Sequence, residues 1–139
     1  MYTFITDGAY SFSRDQGGAA VIILKDGKKI TQISRAFKHT TNNKMEVIAV
    51  ILALMCIKKP LDKIEIITDS MYVIGTATLS WKRKKNIKLW KKFDEIYQQK
   101  LKLCPNIIFK HVKGHSGDKW NELADELAVN ASQLMIDEK

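Results

Sequence analysis

The stretch MEVIAVILALMCI, residues 45–57, decides the fold. Its apolar residues occupy nearly every face of a helix, which predicts a helix buried on all sides. Lys58-Lys59-Pro60 ends this helix, because proline cannot continue it. The apolar run from Val47 to Ile57 has 11 residues, well short of the ~20 that span a bilayer. A buried central helix of this length is a natural crossover between two parallel strands of one sheet.

Short β-prone runs lie on both sides of the central helix. We predict three strands before it, at 2–6, 19–25 and 28–37. Asp26-Gly27, a strong hairpin signal, joins the second to the third. The predictions after it are strands at 63–68 and 106–112, and helices starting near Ser70, at 87–101 and at 119–134. The order βββαβααβα predicts an α/β fold, in which an antiparallel meander continues into helix-linked parallel strands covered by helices.

Length and composition indicate one globular domain over residues 1–139. The chain has 45% hydrophobic and 27% charged residues, and a chain of this size buries roughly 68% of its unfolded surface. Cys56 and Cys104 form no CxxC motif and predict buried, reduced thiols. No basic segment followed by a long apolar stretch begins the chain. We therefore expect a cytoplasmic protein with no membrane partner.

The positive charge is concentrated in one place. The chain has 23 Lys plus Arg against 15 Asp plus Glu, a net charge of +8. Residues 82–92 (KRKKNIKLWKK), which we call the basic segment, hold seven bases and no acid. The segment is either a solvated helix face or a contact for a polyanion, with Trp81 or Trp90 able to pack on a sugar or base. A membrane-surface or nuclear-import role explains nothing else in the sequence.

Four acidic residues each have an ordinary structural interpretation. Asp7 would make a turn after the first strand, and Asp69 would cap the following helix. Glu46 stands three residues after Asn43, the spacing of a capping box. Asp125 is one of several acids on the last helix. Taken singly, none of them indicates a functional site.

The expected fold brings three of these acids together. If strands one and four are adjacent and parallel, Asp7 and Asp69 both lie at carboxyl ends, where open α/β sheets place their sites. Glu46, in the first turn of the central helix, could reach the same edge. Clustered carboxylates repel one another unless a divalent cation neutralises them. Oxygen ligands that leave room for water and phosphate suit Mg²⁺ or Mn²⁺, which suggests phosphate chemistry.

Four blocks of the chain resemble the signature blocks of type 1 ribonuclease H. They are ITDGAY (5–10), TTNNKMEVIAVILAL (40–54), ITDSMYVI (67–74) and HVKGHSGDKWNELADELA (111–128). Their order and spacing agree with the family, and the resemblance covers a core of about residues 2–131. It implies a ribonuclease H-like fold with a five-stranded mixed sheet in the order 3-2-1-4-5.

The resemblance also implies an activity, the hydrolysis of the RNA strand of RNA–DNA hybrids. The family's catalytic acids fall on Asp7, Glu46, Asp69 and Asp125, and its active-site loop histidine falls on His115. Two Mg²⁺ ions, or Mn²⁺, would lie between the four carboxylates and the scissile phosphate. Products would carry 5′-phosphate and 3′-hydroxyl ends, with His115 assisting proton transfer or product departure.

The family's substrate contacts map onto this chain residue by residue. Asn42 lies in the block that contacts 2′-hydroxyls across the minor groove of the hybrid. Thr41 and Asn86 match a pocket that grips a phosphate of the DNA strand, and Trp81 matches an aromatic residue of the substrate channel or packs between helices. The basic segment matches a shortened basic handle. The substrate-binding residues implied are Asn42, Thr41, Asn86, Trp81, Lys82, Lys84 and Lys85.

The sequence departs from the family at several places near these contacts. His39 stands where some members have an arginine, and Met71 stands where a glutamine often contacts RNA. The first loop, SFSRDQGG (residues 11–18), lacks the glycine- and proline-rich character common there. These departures bear on affinity and leave the four acids untouched.

Three functional hypotheses remain open. The chain could be a monomeric nuclease, whether free-standing or a domain from a reverse transcriptase. It could be a catalytically silent module that binds RNA–DNA hybrids, although all four acids and His115 are present. It could be a resolvase or integrase core, although these enzymes lack the pairing of TTNNKME with KGHSGD.

Overall fold

The computed structural model describes residues 1–79, 82–113 and 118–134. Its elements follow the predicted order βββαβααβα. The strands are β1 (Tyr2–Ser11), β2 (Gln16–Lys25), β3 (Lys28–Lys38), β4 (Lys63–Thr68) and β5 (Asn106–His111). The helices are α1 (Asn42–Met55), α2 (Met71–Thr78), α3 (Ile87–Leu101) and α4 (Lys119–Ser132).

The strands form one five-stranded mixed sheet in the order β3-β2-β1-β4-β5. The β1–β2 and β2–β3 pairs are antiparallel, and the β1–β4 and β4–β5 pairs are parallel. The predicted fold class and strand order are therefore confirmed. The crossover through α1 is what makes β4 parallel to β1, because a helix returns the chain to the edge at which β1 began.

Helices cover the sheet on both faces. Val47, Val50 and Leu54 of α1 are fully buried in the larger core, together with Trp90 and Phe93 of α3. On the opposite face, Ile5, Ile22 and Leu24 pack with Ala124 of α4 in a smaller core. The prediction that the central helix is buried on nearly all sides is correct. None of the helices described is both long enough and apolar enough to cross a membrane.

The first hairpin is longer than predicted. Asp7-Gly8 is not a turn, since β1 continues to Ser11 and Gly8 pairs with Ala19. Likewise β2 begins at Gln16, so that Gly17 and Gly18 belong to a strand. Gly18 fits there because α4 crosses directly above it: a Cβ at this position would lie 2.0 Å from the Ala128 carbonyl oxygen. The predicted turn at Asp7 is therefore wrong, and the glycines here allow close packing between elements.

The helix caps also differ from the sequence interpretation. Thr41 is the N-cap of α1 and accepts a hydrogen bond from Lys44 N at 3.2 Å. Asn43 therefore lies inside the helix, and the capping box between Asn43 and Glu46 is wrong. Ser70, not Asp69, caps α2. Helix capping therefore does not explain the positions of Glu46 and Asp69.

The thiols partly match the prediction. Both cysteines are free; Cys104 is buried, whereas Cys56 is half-buried at the end of α1. Burial raises the pKa of both thiols.

Candidate active site

Strand register brings Asp7 and Asp69 together. The parallel ladder between β1 and β4 ends at the pair Ile5 and Ile67, and each aspartate lies two residues further along its strand direction. The Thr6 hydroxyl donates to the Ile67 carbonyl at 2.9 Å and holds β1 to the end of β4 just beyond the ladder. Residues in matching register on neighbouring strands are about 4.8 Å apart. The two carboxylates therefore meet at the same edge.

Gly8 lets Glu46 reach this edge. A Cβ on Gly8 would lie 2.5 Å from both the Glu46 nitrogen and the Met45 carbonyl carbon, so that only glycine accommodates the first turns of α1 so close to β1. The backbone φ of Gly8 is not in the left-handed region. Among the described glycines, it is Gly27 that has a positive φ. Close approach, and not turn geometry, thus explains the glycine after Asp7.

Asp7, Glu46 and Asp69 form a compact carboxylate cluster. One oxygen from each lies within 4.8 Å of the others. Asp7 and Glu46 are 5% and 6% exposed, and Asp69 is half-buried. Asp125, half-buried on α4, lies close enough for its charge to raise the pKa of the Asp7 carboxyl. The structure therefore brings together all four acids singled out in the sequence, with Asp7 at their centre.

Burial and mutual repulsion keep protons on the cluster. Desolvation, followed by the charges of Asp69 and Asp125, raises the pKa of Asp7 to about 8. Desolvation, followed by the charge of Asp7, raises the pKa of Glu46 to about 10. In the absence of a cation, these two buried carboxyls are therefore largely protonated at neutral pH.

The cluster has the chemistry of a divalent-cation site. Among the described side chains, Glu46 Oε2 is a buried oxygen with no hydrogen-bond partner. A buried polar atom without a partner costs free energy unless something binds it. All the donors are carboxylate oxygens, which Mg²⁺ and Mn²⁺ prefer. The residues present therefore fit a metal-dependent site.

These pKa values predict how stability depends on pH without a cation. The unfolded carboxyls titrate near pH 4, so that between about pH 4 and pH 8–10 the folded state holds extra protons. The free energy of unfolding should fall as pH rises through this window, by at most about 1.4 kcal/mol per pH unit for each extra proton. Thermal melts in EDTA from pH 5 to 9 should show this slope.

Two variants test whether the carboxylate cluster causes this dependence of stability on pH. Glu46→Gln removes the group with the higher pKa and should flatten the slope. Glu126→Gln, at an exposed position of the same helix as Asp125, should keep the wild-type slope. Equal slopes in all three proteins would contradict the protonation assigned to the cluster.

A lysine-rich cavity lies between α1 and the basic segment. Its volume is about 630 Å³, and Lys84, Lys85 and Asn86 line it together with Lys44 of α1. Lys88 and Lys92 also face it, with an apolar floor that includes Ile48 and Leu89. Sequence analysis missed Lys44 as a candidate site residue, although its place in the block TTNNKME was the available signal.

Two residues of the basic segment, Arg83 and Trp90, bind other side chains of the protein. Arg83 makes two hydrogen bonds to Asp94, one of them 3.0 Å from Nη2 to Oδ1, and its guanidinium lies 5.1 Å from the centroid of the Trp90 ring. Trp90 is fully buried and donates to the Tyr72 hydroxyl at 2.8 Å. The expectation that Trp90 could pack on a nucleic acid is therefore wrong. Lys82, Lys84 and Lys85 are exposed.

The remaining predicted substrate-binding residues lie at two places. Thr41 and Asn42 are exposed at the start of α1. Asn86 has a left-handed backbone (φ 57°) before α3 and donates to the Tyr72 hydroxyl at 3.1 Å. Trp81 and His115 lie outside the described residues.

The chain is similar to known proteins over nearly its whole length. Residues 1–133 match the family described as RNase H. The sequence is 37% identical to a ribonuclease H of Trichodesmium erythraeum over 96% of this chain and 89% of that protein. It is 41% identical to a ribonuclease H of Wolbachia pipientis wMel over 91% of each. A crystal structure of LC11-RNase H1 in complex with an RNA/DNA hybrid matches 94% of this chain and 95% of that chain with a TM-score of 0.77 at 26% identity.

Proposed function

The chain belongs to the ribonuclease H family, and on that premise we propose that it is an endonuclease that hydrolyses the RNA strand of RNA–DNA hybrids. The observation that carries the proposal is the cluster of Asp7, Glu46 and Asp69, whose oxygens lie within 4.8 Å of one another. A binding module has no use for three carboxylates that are costly to hold together. The likeness to an RNase H1 solved with a hybrid supports the substrate class.

We assign Asp7, Glu46, Asp69 and Asp125 as the residues that hold two Mg²⁺ ions, with Mn²⁺ as an alternative. Ions held by these residues would supply activation of the attacking water and charge stabilisation at the leaving 3′ oxygen, so that the products would carry 5′-phosphate and 3′-hydroxyl ends. Asp7 and Glu46 must first release their protons, so that metal affinity should rise with pH. Burial of these two residues leaves little room for bulk water around them. His115 is proposed to assist proton transfer or product release.

We propose that the lysine-rich cavity holds phosphates of the DNA strand. The residues that line the cavity include three lysines and one amide side chain, those of Lys44, Lys84, Lys85 and Asn86. None of the described residues that line it is acidic. Clustered lysines bind phosphate by releasing counterions. The other proposed contacts are Thr41 to the same strand, Asn42 to 2′-hydroxyls, Trp81 along the channel, and Lys82 beside the cavity.

Neutralising Lys82, Lys84 and Lys85 together with glutamine should weaken hybrid binding. The slope of log K against log salt should become shallower by about 0.7 to 0.9 for each phosphate that the protein no longer neutralises. Fluorescence anisotropy over a salt series, in EDTA, measures this slope.

A triple variant elsewhere separates local binding from overall charge. Lys28, Lys29 and Lys63 are also exposed and lie outside the basic segment. Changing these three to glutamine removes the same charge and should leave the slope close to wild type. Equal effects of the two triple variants would mean that net charge alone governs binding.

A cleavage assay tests the proposed function directly. Labelled RNA–DNA hybrid, double-stranded RNA and double-stranded DNA are incubated with the protein, with Mg²⁺ or with EDTA. We expect cleavage of the hybrid's RNA strand in Mg²⁺ only. Binding of hybrid without cleavage would instead support a silent module, and cutting of double-stranded DNA would support a resolvase-like enzyme.

We propose that residues 1–139 act as one monomeric domain in the cytoplasm. Lys28, Lys29 and Arg35 along β3, an edge strand of the sheet, oppose strand pairing between copies by charge repulsion. The free thiols Cys56 and Cys104 support a reducing compartment. Sedimentation at micromolar concentration tests the oligomeric state.

A further inference from the structure

The tip of the hairpin between β1 and β2 presents an aromatic ring to solvent. Phe12 is 89% exposed, more than any other large hydrophobic side chain of the described residues. Single exposed apolar residues are common on protein surfaces, so exposure alone indicates nothing. The surroundings of Phe12 and its place in the molecule carry the argument.

Hydrogen bonds order this tip. Arg14 N donates to the Ser11 carbonyl, and Asp15 N donates to the Phe12 carbonyl, each at 3.3 Å. Asp15 has a left-handed backbone (φ 45°), and its Oδ1 accepts from the Tyr10 hydroxyl at 2.6 Å. An ordered turn leaves the backbone beneath the Phe12 ring with little conformational entropy to lose on binding.

Asp15 also fastens the tip to the turn that precedes α1. Its carbonyl accepts from His39 N at 2.8 Å, and its Oδ2 lies 2.8 Å from His39 Nδ1. His39 is itself left-handed (φ 53°). Two strained backbones held by mutual hydrogen bonds form a clasp, which we call the Asp15 clasp. Thr41, a proposed substrate contact, follows His39 by two residues, so that the tip and the start of α1 form one surface.

Resting on the proposed function, we propose that Phe12 is a further substrate-binding residue, whose ring packs on a sugar of the hybrid, and that Asp15 is the residue that positions it. Phe12 lies in the turn that follows β1, five residues after Asp7, so the two residues are about 16 Å apart at most. It would therefore contact a nucleotide several steps from the cut. The base faces of a paired hybrid are covered by neighbouring base pairs, whereas the sugars are accessible and carry no sequence information. This packing would therefore add affinity without sequence preference. Arg14 adds a cation at the same tip.

Binding of labelled hybrid in EDTA tests the role of Phe12. Phe12→Ala should raise Kd about five- to tenfold, whereas Phe12→Trp keeps Kd within about twofold of wild type. Ile30→Ala is the matched control, because Ile30 is a 54% exposed hydrophobic residue on β3. It should leave Kd at the wild-type value. In Mg²⁺, the effect of Phe12→Ala should appear in KM more than in kcat.

A double-mutant cycle tests the role of Asp15. Asp15→Gly keeps the left-handed backbone and removes the carboxylate. It should raise the Kd for hybrid about two- to fivefold. The increase should be smaller in the Phe12→Ala background, as expected for two residues that interact. Asp15→Asn, which tolerates the same φ and still accepts a hydrogen bond from Tyr10, should restore binding. Additive effects of the two changes would overturn the positioning role.

The outcomes separate this inference from the proposed function. A protein that cleaves hybrid while Phe12→Ala binds it as tightly as wild type overturns the inference and leaves the function standing. The same holds if Phe12→Ala instead abolishes self-association. A wild-type protein that neither binds nor cleaves hybrid overturns both.

Discussion

Replacing Asp7 with asparagine should reduce Mg²⁺-dependent cleavage of the hybrid by about a thousandfold or more. Metal ions contribute several kcal/mol to the stability of such a transition state, and the variant would lose this contribution. Asp7 lies at the centre of the cluster: one of its oxygens is within 4.8 Å of oxygens of Glu46 and Asp69, and the charge of Asp125 also acts on it. Asparagine has nearly the same shape and removes the negative charge. Asp69→Asn should have a similar effect.

Binding of the substrate should survive these changes. The proposed phosphate contacts lie in the lysine-rich cavity, so the Kd for hybrid in EDTA should stay within about threefold of wild type. Thermal unfolding in EDTA above about pH 8, where Asp7 is ionised, should occur at the same or a higher temperature, because Asp7→Asn relieves repulsion from Asp69 and Asp125. Glu126→Gln serves as the control for removal of an acid. Wild-type turnover in either aspartate variant would refute the four-carboxylate assignment.

Gly8→Ala should reduce activity by about a hundredfold, the effect expected from a displacement of about 1 Å in an active site. The added Cβ would lie 2.5 Å from two backbone atoms of α1, and backbone cannot move aside as a flexible side chain can. The first turns of α1 must therefore shift, which carries Glu46 away from Asp7. Isothermal titration with Mg²⁺ and single-turnover cleavage measure the consequence.

A second glycine separates an effect on geometry from an effect on stability. Gly27 has φ 81° at the β2–β3 turn, and a Cβ there meets nothing within 4 Å. Gly27→Ala should lower stability by about 1 kcal/mol through backbone strain and keep normal cleavage below the melting temperature. Wild-type Mg²⁺ affinity in folded Gly8→Ala would show that Glu46 does not depend on this close approach.

The sequence predicted the sheet order and the four acids, because each depends on patterns within a few residues or on recognised motifs. The apolar stretch 45–57 indicated the crossover helix, and the crossover placed β1 and β4 side by side, with Asp7 beside the end of β4. The same local patterns failed at Asp7-Gly8, where the predicted turn is a place of tight packing against α1, and at Gly17-Gly18, which belong to β2 although that strand was predicted to begin at residue 19. A glycine indicates only that a side chain is missing; the neighbour that requires its absence is distant in the chain.

The charged residues show the same difference between what local sequence predicts and what only the tertiary structure decides. The sequence alone determined that seven bases stand between residues 82 and 92, but not that Arg83 is paired with Asp94 or that Trp90 is buried. It determined four separate acids, but not that Asp7 and Glu46 are buried in one cluster in which their pKa values are raised. Element type follows from local periodicity. Ion pairing, burial and proton affinity depend on which distant residues the fold brings together, so only the tertiary structure decided them.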